Sequence, residues 1–205
     1  MKPKSDLDTI YLAALKVFAD FGYKKATLED IAGVLGMTKS NLYHYARSKR
    51  HLYQETVRFA LLRWQGRVRE AVAAENDARA RFFMLCRRAV DYLAQDDDLR
   101  RLLVRDPDIF PMFSRNDPFA DINANSVEMI RAILQAGIEE GRFRPVDLDA
   151  VPEVLFSIYK MFIIRMYLRS KDPDIQQMFT QTITLVTEGL FAAPAASPSP
   201  PISKD

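Results

Sequence analysis

The sequence predicts an all-α protein with an N-terminal three-helix helix-turn-helix domain and a C-terminal helical domain. Three observations support this fold class. Apolar residues recur at three- and four-residue spacing in one segment after another. Serine, threonine or aspartate, which cap helix N-termini, precede many of these segments, and glycines follow several of them. The 205 residues are 48% hydrophobic and 27% charged, which is ordinary for a globular chain with one or two cores.

The residue pattern in the N-terminal part of the chain predicts three consecutive helices. The first ends at Gly22 and supports the other two with an apolar face. The residues of that face, all expected in the core, are Leu7, Ile10, Ala14, Val17, Phe18 and Phe21. The second helix begins with a capping box, in which Thr27 and Asp30 satisfy each other's backbone N–H groups, and Gly36 ends it. Thr38 caps the third helix, and so short a break between two helices is typical of a helix-turn-helix.

A third cap, Ser48, opens a longer helix whose first turn is basic. Lys49, Arg50 and His51 crowd this turn, although the helix macrodipole favours acidic residues there. Basic side chains at an already positive helix end are favourable when an external anion binds at that end, and helix N-termini are common phosphate sites. The pattern therefore indicates a surface that binds the DNA backbone.

The charged residues are unevenly distributed along the chain. The net charge is only +2, but residues 1–55 carry nine Lys and Arg against six Asp and Glu, whereas residues 56–205 carry 20 against 21. A local basic surplus is the electrostatic footprint expected of a nucleic-acid-binding surface.

The single cysteine, Cys86, excludes an intramolecular disulfide and fits a cytoplasmic location. The acidic residues near the N-terminus predict that no secretory signal peptide is present.

This N-terminal pattern resembles the DNA-binding domain of TetR-type regulators, the TetR/AcrR family of transcriptional regulators. The residues that carry the resemblance are Phe18, Gly22, Thr27, Ile31, Ala32, Gly36, Thr38, Leu42, Tyr43, His44, Tyr45, Ser48, Lys49 and Leu52. The sequence departs from the usual family pattern at Ala46, Arg50 and the pair Ser40 and Asn41. The last two departures change what the domain can recognise, so its target DNA sequence cannot be taken from a relative.

The resemblance implies a homodimeric, ligand-responsive regulator, a repressor by family, that binds a double-stranded DNA operator. The positions that match phosphate contacts in the family are Thr27, Tyr43, His44 and Lys49. The residues at the start of the recognition helix are Thr38, Lys39, Ser40 and Asn41. Lys39 can donate to guanine, and Asn41 can pair with adenine or, alternatively, serve only in a local cap. Tyr45 is a weaker contact, because its side chain also fits packing inside the domain.

The pattern divides the chain into four segments. They are a DNA-binding domain at 1–47 with the helix-turn-helix at 27–46, a connector helix at 48–69, a ligand-binding and dimerisation domain at 70–192, and a disordered tail at 193–205. In the third segment, the acidic run from Asp96 to Asp98 favours a helix cap over a metal site. Residues 106–121 contain three prolines and predict an irregular lid. Asp149 and Asp172 are the expected caps of the last two helices.

The last two helices carry more apolar surface than one small domain can cover. Residues 154–168 are apolar nearly all round, yet the run is too short for a membrane span and includes Lys160 and Arg165. We therefore expect these helices to pair with a second copy in a four-helix bundle. The expected dimer interface is Leu155, Tyr159, Phe162, Met166, Phe179, Ile183, Val186 and Leu190.

The resemblance also implies a pocket in the second domain for an unidentified small-molecule effector, which we expect to be apolar or amphipathic. The candidate ligand-binding residues are Phe59, Arg63, Trp64, Phe82, Met129, Ile133, Phe156 and Met166. Each of the apolar members also fits simple core packing. Three further arginines, Arg67, Arg105 and Arg131, could meet an acidic ligand group or stay solvated.

Two other function classes have less support. An enzyme is disfavoured because the seven glycines form no phosphate loop, and two histidines in the N-terminal region cannot build a zinc site or a triad in the body. We expect no catalytic residues, no cofactor and no metal, with Cys86 on an apolar helix face. A helical protein-interaction adaptor without DNA binding is the remaining alternative. It leaves the capped three-helix domain and the basic turn at Ser48 unexplained.

Overall fold

The computed structural model describes residues 4–109, 117–168 and 174–191, and these ranges form helices without a β-strand. The helices are α1 (Lys4–Lys25), α2 (Leu28–Val34), α3 (Lys39–Leu42), α4 (Lys49–Ala73), α5 (Ala78–Gln95), α6 (Asp97–Arg105), α7 (Ala120–Glu139), α8 (Val151–Ile163) and α9 (Ile175–Leu190). A 3₁₀ turn, Pro107–Ile109, follows α6, and a π-helical segment, Ile164–Leu168, continues α8. None of the helices described is long and apolar enough to cross a membrane. The predicted all-α fold class is confirmed.

Local hydrogen bonds begin the early helices where the sequence predicted. In the capping box of α2, Asp30 donates its backbone N–H to Thr27 Oγ1 (3.1 Å), and Thr27 donates its own to Asp30 Oδ2 (2.9 Å). The Thr27 hydroxyl also donates to Asp30 Oδ2 (2.7 Å), and this bond together with that from the Thr27 backbone N–H holds the pKa of the Asp30 carboxyl below its usual value. Thr38 Oγ1 and Ser48 Oγ accept backbone N–H groups at the starts of α3 and α4. Gly36 follows α2 with φ 63°, the left-handed conformation that ends a helix.

Helix α1 bends at Gly22, where the sequence predicted that the first helix ends. The backbone there has φ 75° and ψ 160°, which are not helical. Most of the predicted inner face of α1 is buried, with Phe18 fully enclosed. Phe21 is 51% exposed, so its assignment to the core was wrong. Since the chain leaves helical geometry at the next residue, the helical periodicity does not hold to the end of α1.

Helix α4 runs as one helix of 25 residues from the N-terminal domain into the body. Near its start, the fully buried side chains of Leu52 and Val57 pack in the core beside α1. Further along, the indole Nε1 of Trp64 donates to the Ala89 carbonyl of α5 (2.9 Å). A single hydrophobic core is therefore continuous along α4 from one part of the molecule to the other. The helix ends at Ala73, beyond the end near residue 69 that the sequence predicted.

Helix α6 is tied to both α4 and α1 by acidic residues. Asp96 caps α6, and its carboxylate also binds Arg63 of α4 (2.5 Å). Arg101 of α6 binds Asp20 of α1 (2.5 Å) and lowers the pKa of that carboxyl. Each of these partly exposed pairs contributes little stability alone, and the second joins α6 to the N-terminal domain. The acidic run serves as a helix cap, as the sequence favoured, and it also forms ion pairs that the sequence did not predict.

The start of α8 differs from the prediction. Asp147 Oδ1 accepts the backbone N–H groups of Asp149 (2.8 Å) and Ala150 (3.0 Å), so the turn before the helix is closed by Asp147. The carboxylate of Asp149 instead binds Arg131 of α7 (2.8 Å), and its expected role as a cap was wrong. Residues 110–116 of the predicted lid, the predicted cap Asp172 and the tail at 193–205 lie outside the described residues.

The C-terminal end of α7 depends on a close approach between backbone and an aromatic ring. Phe143 donates its backbone N–H to the Gly137 carbonyl (2.9 Å), and a Cβ atom at Gly137 would lie 2.1 Å from Phe143 Cδ2. The same ring is buried and stacks on Phe191 after α9, with ring centroids 5.3 Å apart. Only glycine leaves room for this ring.

We expect Gly137→Ala to lower the free energy of unfolding by about 1–3 kcal/mol, because the Phe143 ring must leave its packed position. Gly66→Ala is the control, since Gly66 lies inside α4 with no neighbouring atom within 4 Å of an added Cβ. Alanine there should be neutral or stabilising by up to about 1 kcal/mol. Denaturant unfolding measures both variants, and equal losses of stability would contradict the close contact.

Candidate DNA interface and internal cavity

The turn between α2 and α3, with α3 itself, presents most of the predicted DNA contacts to solvent. The exposed members of the predicted set are Thr27, Thr38, Lys39, Ser40, Asn41, Tyr43 and His44. Tyr45 and Lys49 are half-buried, and Tyr45 packs against the core. The fully buried Leu42 anchors α3 from below, so the residues around it on the other sides of this short helix face outward.

The cap at the start of α3 leaves the Asn41 amide available. Thr38 Oγ1 accepts the backbone N–H of Asn41 (3.2 Å), and this bond uses none of the side-chain amide atoms. The alternative role of Asn41, a local cap, is therefore filled by its backbone. Its exposed side chain keeps the two donors and the acceptor that a bidentate contact with adenine requires.

Lys39 already has an acidic neighbour on α2. Its Nζ lies 2.6 Å from Glu29 Oε1, and this hydrogen bond raises the pKa of Lys39 and lowers that of Glu29. Both side chains are exposed, so water and salt weaken the pair. A contact between Lys39 and a guanine has to compete with Glu29. Sequence spacing did not reveal this partner, because the two residues belong to different helices.

Lys49 is held at the corner between α1 and α4. Its Nζ donates to the backbone carbonyl of Lys24 (3.2 Å) and lies 4.8 Å from the centroid of the Tyr23 ring. An ammonium group has three donors, so two remain for a phosphate. As predicted, the first turn of α4 contains no acidic residue. Tyr23 and the end of α1 are positioning elements that the sequence did not indicate.

The body encloses an apolar cavity among α4, α5, α7, α8 and α9. Its volume is about 100 Å³, several times the roughly 10–15 Å³ that one water molecule needs. Four of the predicted ligand-binding residues line it: Trp64, Phe82, Met129 and Phe156. The described residues of its wall include no Asp, Glu, Lys, Arg or His. The cavity therefore suits an uncharged, largely apolar group.

The other four predicted ligand-binding residues do not line the cavity. Phe59 faces the ring of Tyr11 on α1, with centroids 5.5 Å apart, and Arg63 is bound to Asp96. Ile133 and Met166 are buried in the surrounding core. These assignments are corrected for one physical reason: helical periodicity identifies an inner face but does not tell a packed side chain from one beside a void.

Some residues that were predicted to form a dimer interface line the cavity instead. Leu155, Tyr159, Phe179, Ile183 and Val186 line it from α8 and α9. The remaining members, Phe162, Met166 and Leu190, are buried within the single chain, with at most 8% of their surface exposed. These three side chains have no surface left to contribute to a second copy, so that part of the assignment is corrected.

Several polar residues of the cavity wall were missed by the sequence analysis. They are Gln65, Asn123, Ser126 and Thr182. Gln65 on the inner face of α4 was a detectable signal, because a polar residue in an apolar stripe needs a partner. Cys86 lines the cavity as well, and burial raises the pKa of its thiol to about 12. The thiol is protonated at neutral pH and is a poor nucleophile.

The fold and these two sites define a class of protein, in which a helix-turn-helix domain is joined by one long helix to a body with an internal cavity. Residues 10–56 match the family model described as bacterial regulatory proteins, tetR family. The N-terminal domain of the chain is therefore similar to the DNA-binding domain of that family. The resemblance noted in the sequence is thereby confirmed.

Known relatives match most of the chain, and solved structures share its fold. The chain is 27% identical over 183 residues to the HTH-type transcriptional repressor KstR2 of Rhodococcus jostii, covering 86% of this chain and 87% of the relative. A TetR transcription regulator from Haloarcula marismortui has a similar fold, with a TM-score of 0.77, 21% identity and coverage of 92% and 100% of the two chains. FadR from Bacillus subtilis, solved in complex with stearoyl-CoA, gives a TM-score of 0.71, 17% identity and coverage of 88% and 97%.

Lys49 is predicted to contact a phosphate and Asn41 a base, so variants of these two residues should affect DNA binding in different ways. We expect Lys49→Ala to weaken binding to all duplexes by similar factors and to reduce the salt slope by about one unit per subunit. We expect Asn41→Ala to cost about 1–3 kcal/mol per half-site on the preferred operator and little on unrelated DNA. Titrations at several salt concentrations, on operator and scrambled duplexes, measure both. If Asn41→Ala weakens both duplexes equally, Asn41 does not contact a base.

Proposed function

We propose that the protein is a homodimeric repressor that leaves its DNA operator when a small apolar or amphipathic ligand fills the internal cavity. The observation that carries this proposal is the continuity of α4. The same helix begins at the basic turn of Ser48, Lys49 and Arg50 and supplies Trp64 and other residues of the cavity wall. A ligand that displaces this wall displaces the DNA-facing end with it.

The length of α4 allows a movement at the cavity to be transmitted to the DNA-facing end of the helix. At 1.5 Å per residue, the helix is about 37 Å long, and Lys49 and Gln65 are about 24 Å apart along its axis. A small tilt at the cavity therefore moves the DNA-facing end by a larger distance. A dimer reads half-sites about 34–36 Å apart, so a change in separation of the two N-terminal domains lowers affinity. The ligand needs only to bind one arrangement better than the other.

The comparisons support two parts of the proposal. The relative from Rhodococcus jostii is named a transcriptional repressor, and FadR was solved in complex with stearoyl-CoA, a ligand with a long apolar chain. An apolar cavity without charged residues is compatible with part of such a ligand.

The dimer surface that we propose lies on the outward faces of α8 and α9. Four large apolar side chains are exposed there: Val154, Met161, Met178 and Leu185, with Leu185 exposed by 70%. Pairing these two helices with their copies around a two-fold axis would cover all four. This revises the predicted interface, which combined residues from the cavity wall and the core.

We expect the double variant Val154→Glu/Leu185→Glu to sediment as a monomer at concentrations where the wild type is a dimer, because charges then oppose each other across the interface. The control is Leu62→Glu/Val104→Glu, which alters two exposed apolar side chains on α4 and α6. Analytical ultracentrifugation compares them. A monomeric wild type at micromolar concentration, or a dimeric double variant, would contradict the proposed surface.

The proposal that a ligand in the cavity releases DNA can be tested by filling the cavity with a larger side chain. Ala89 of α5 lines the cavity, so Ala89→Leu should weaken the release of operator DNA by an active compound at least about tenfold, while DNA affinity without the compound stays near wild type. Ala94→Leu, on an exposed position of the same helix, should respond like wild type. The DNA fragments are selected from the genome by binding, and the compounds are chosen because they change Trp64 fluorescence. Gel shifts then measure how much DNA each compound releases. Failure of the wild type to retain any genomic fragment would reject the regulator function itself.

A further inference from the structure

The side chain of Gln65 in the cavity wall has an unfilled hydrogen-bonding position. Gln65 lies on α4, is 6% exposed, and lines the cavity. Its Nε2 donates to the Ile122 carbonyl (2.8 Å) and to Ser126 Oγ (2.7 Å) of α7. Its Oε1 is buried, and no donor among the described residues reaches it. Gln65 therefore joins α4 to α7 with one end of its amide and leaves the other end open.

The orientation of this amide is fixed by its partners. A backbone carbonyl can only accept a hydrogen bond, so the atom that faces Ile122 must be the amide nitrogen. Oε1 is then the open atom, and it is an acceptor. A buried acceptor without a donor destabilises the folded state, and native structures leave few of them unfilled. A donor supplied from the cavity removes this cost.

The remaining wall determines what kind of donor fits. Within the described part of the wall there is no Asp, Glu, Lys, Arg or His, so an ionised group in the cavity would lack a counter-charge. An ammonium could donate to Oε1, but it would be buried without an anion. A hydroxyl or an amide N–H donates without carrying a charge. Aromatic and aliphatic side chains make up most of the wall and suit an apolar remainder.

We propose that the cavity binds an uncharged, largely apolar molecule that donates one hydrogen bond, from a hydroxyl or an amide N–H, to Gln65 Oε1. This inference rests on the proposed function and names the chemistry of its effector. Because Gln65 belongs to α4, the polar contact acts on the helix that begins at the DNA-facing turn. The ligand's donor would bind α4 through Gln65, the residue that already joins α4 to Ile122 of α7.

Three probes of matched chain length test the inference on the full-length protein without DNA. 1-Decanol has an uncharged donor, 1-methoxydecane keeps the oxygen but has no donor, and decanoate carries a charge. Trp64 lines the cavity and is the only tryptophan, so its fluorescence reports binding. We expect the alcohol to bind about tenfold more tightly than the ether, the ratio given by one net hydrogen bond. We expect decanoate to bind more weakly than the alcohol.

Two variants test whether the preference for the alcohol over the ether comes from Gln65 Oε1. Gln65→Met keeps the length of the side chain and removes the acceptor, and it should reduce the preference for alcohol over ether to within about twofold. Thr182→Val changes another polar residue of the wall and should keep the tenfold preference. The wild-type comparison stands by itself if Gln65→Met is too unstable to study.

The outcomes separate this inference from the proposed function. Equal binding of alcohol and ether by the wild type would show that the ligand's donor does not contribute to binding, and would overturn the inference while leaving an apolar effector in place. Tighter binding of decanoate, or an alcohol preference that survives in Gln65→Met, would also overturn it. If none of the three probes changes Trp64 fluorescence or the melting temperature, both the inference and the effector half of the proposed function fail.

Discussion

Helix α4 belongs to two packing units at once, and the other features of the molecule depend on that constraint. Its first turns are locked into the N-terminal domain by Leu52 and Val57, which are fully buried. Its later turns are tied to α5 by Trp64 and to α7 by Gln65. A rigid helix that is buried at both ends cannot shift at one end alone. Contacts in the body are thereby linked to the position of the DNA-facing surface.

The features that the sequence predicted correctly are local in origin. The capping box of Thr27 and Asp30, the cap at Ser48 and the stop at Gly36 involve residues within a few positions of one another, so their spacing alone specifies the hydrogen bonds. The family resemblance rests on these same spacings. Even among local features, the cap before α8 was missed, because Asp147 closes the turn two residues earlier than Asp149 could.

The cavity and the outer surface of α8 and α9 were harder to predict because they depend on packing between distant segments. Phe156 and Ile133 have similar apolar character and helical placement, yet only Phe156 lines the cavity. Likewise, Phe162 and Leu185 both fit an apolar helix, but one is buried in the chain and the other is exposed. Periodicity identifies a buried face and gives no information on which residues border a void. Ion pairs such as Arg101 with Asp20 also escape a prediction based on spacing.

The central claim, that filling the cavity moves the N-terminal domains through α4, can be tested by measuring the distance between those domains in the dimer. Val34 on α2 is exposed, so Val34→Cys in a Cys86→Ala background places one spin label on each subunit. Pulsed electron paramagnetic resonance then gives the distance between labels on operator DNA, free, and with a compound that releases DNA. If the cavity acts through α4, the compound shifts the distance distribution away from the DNA-bound one. Release of DNA with an unchanged distribution would contradict that claim.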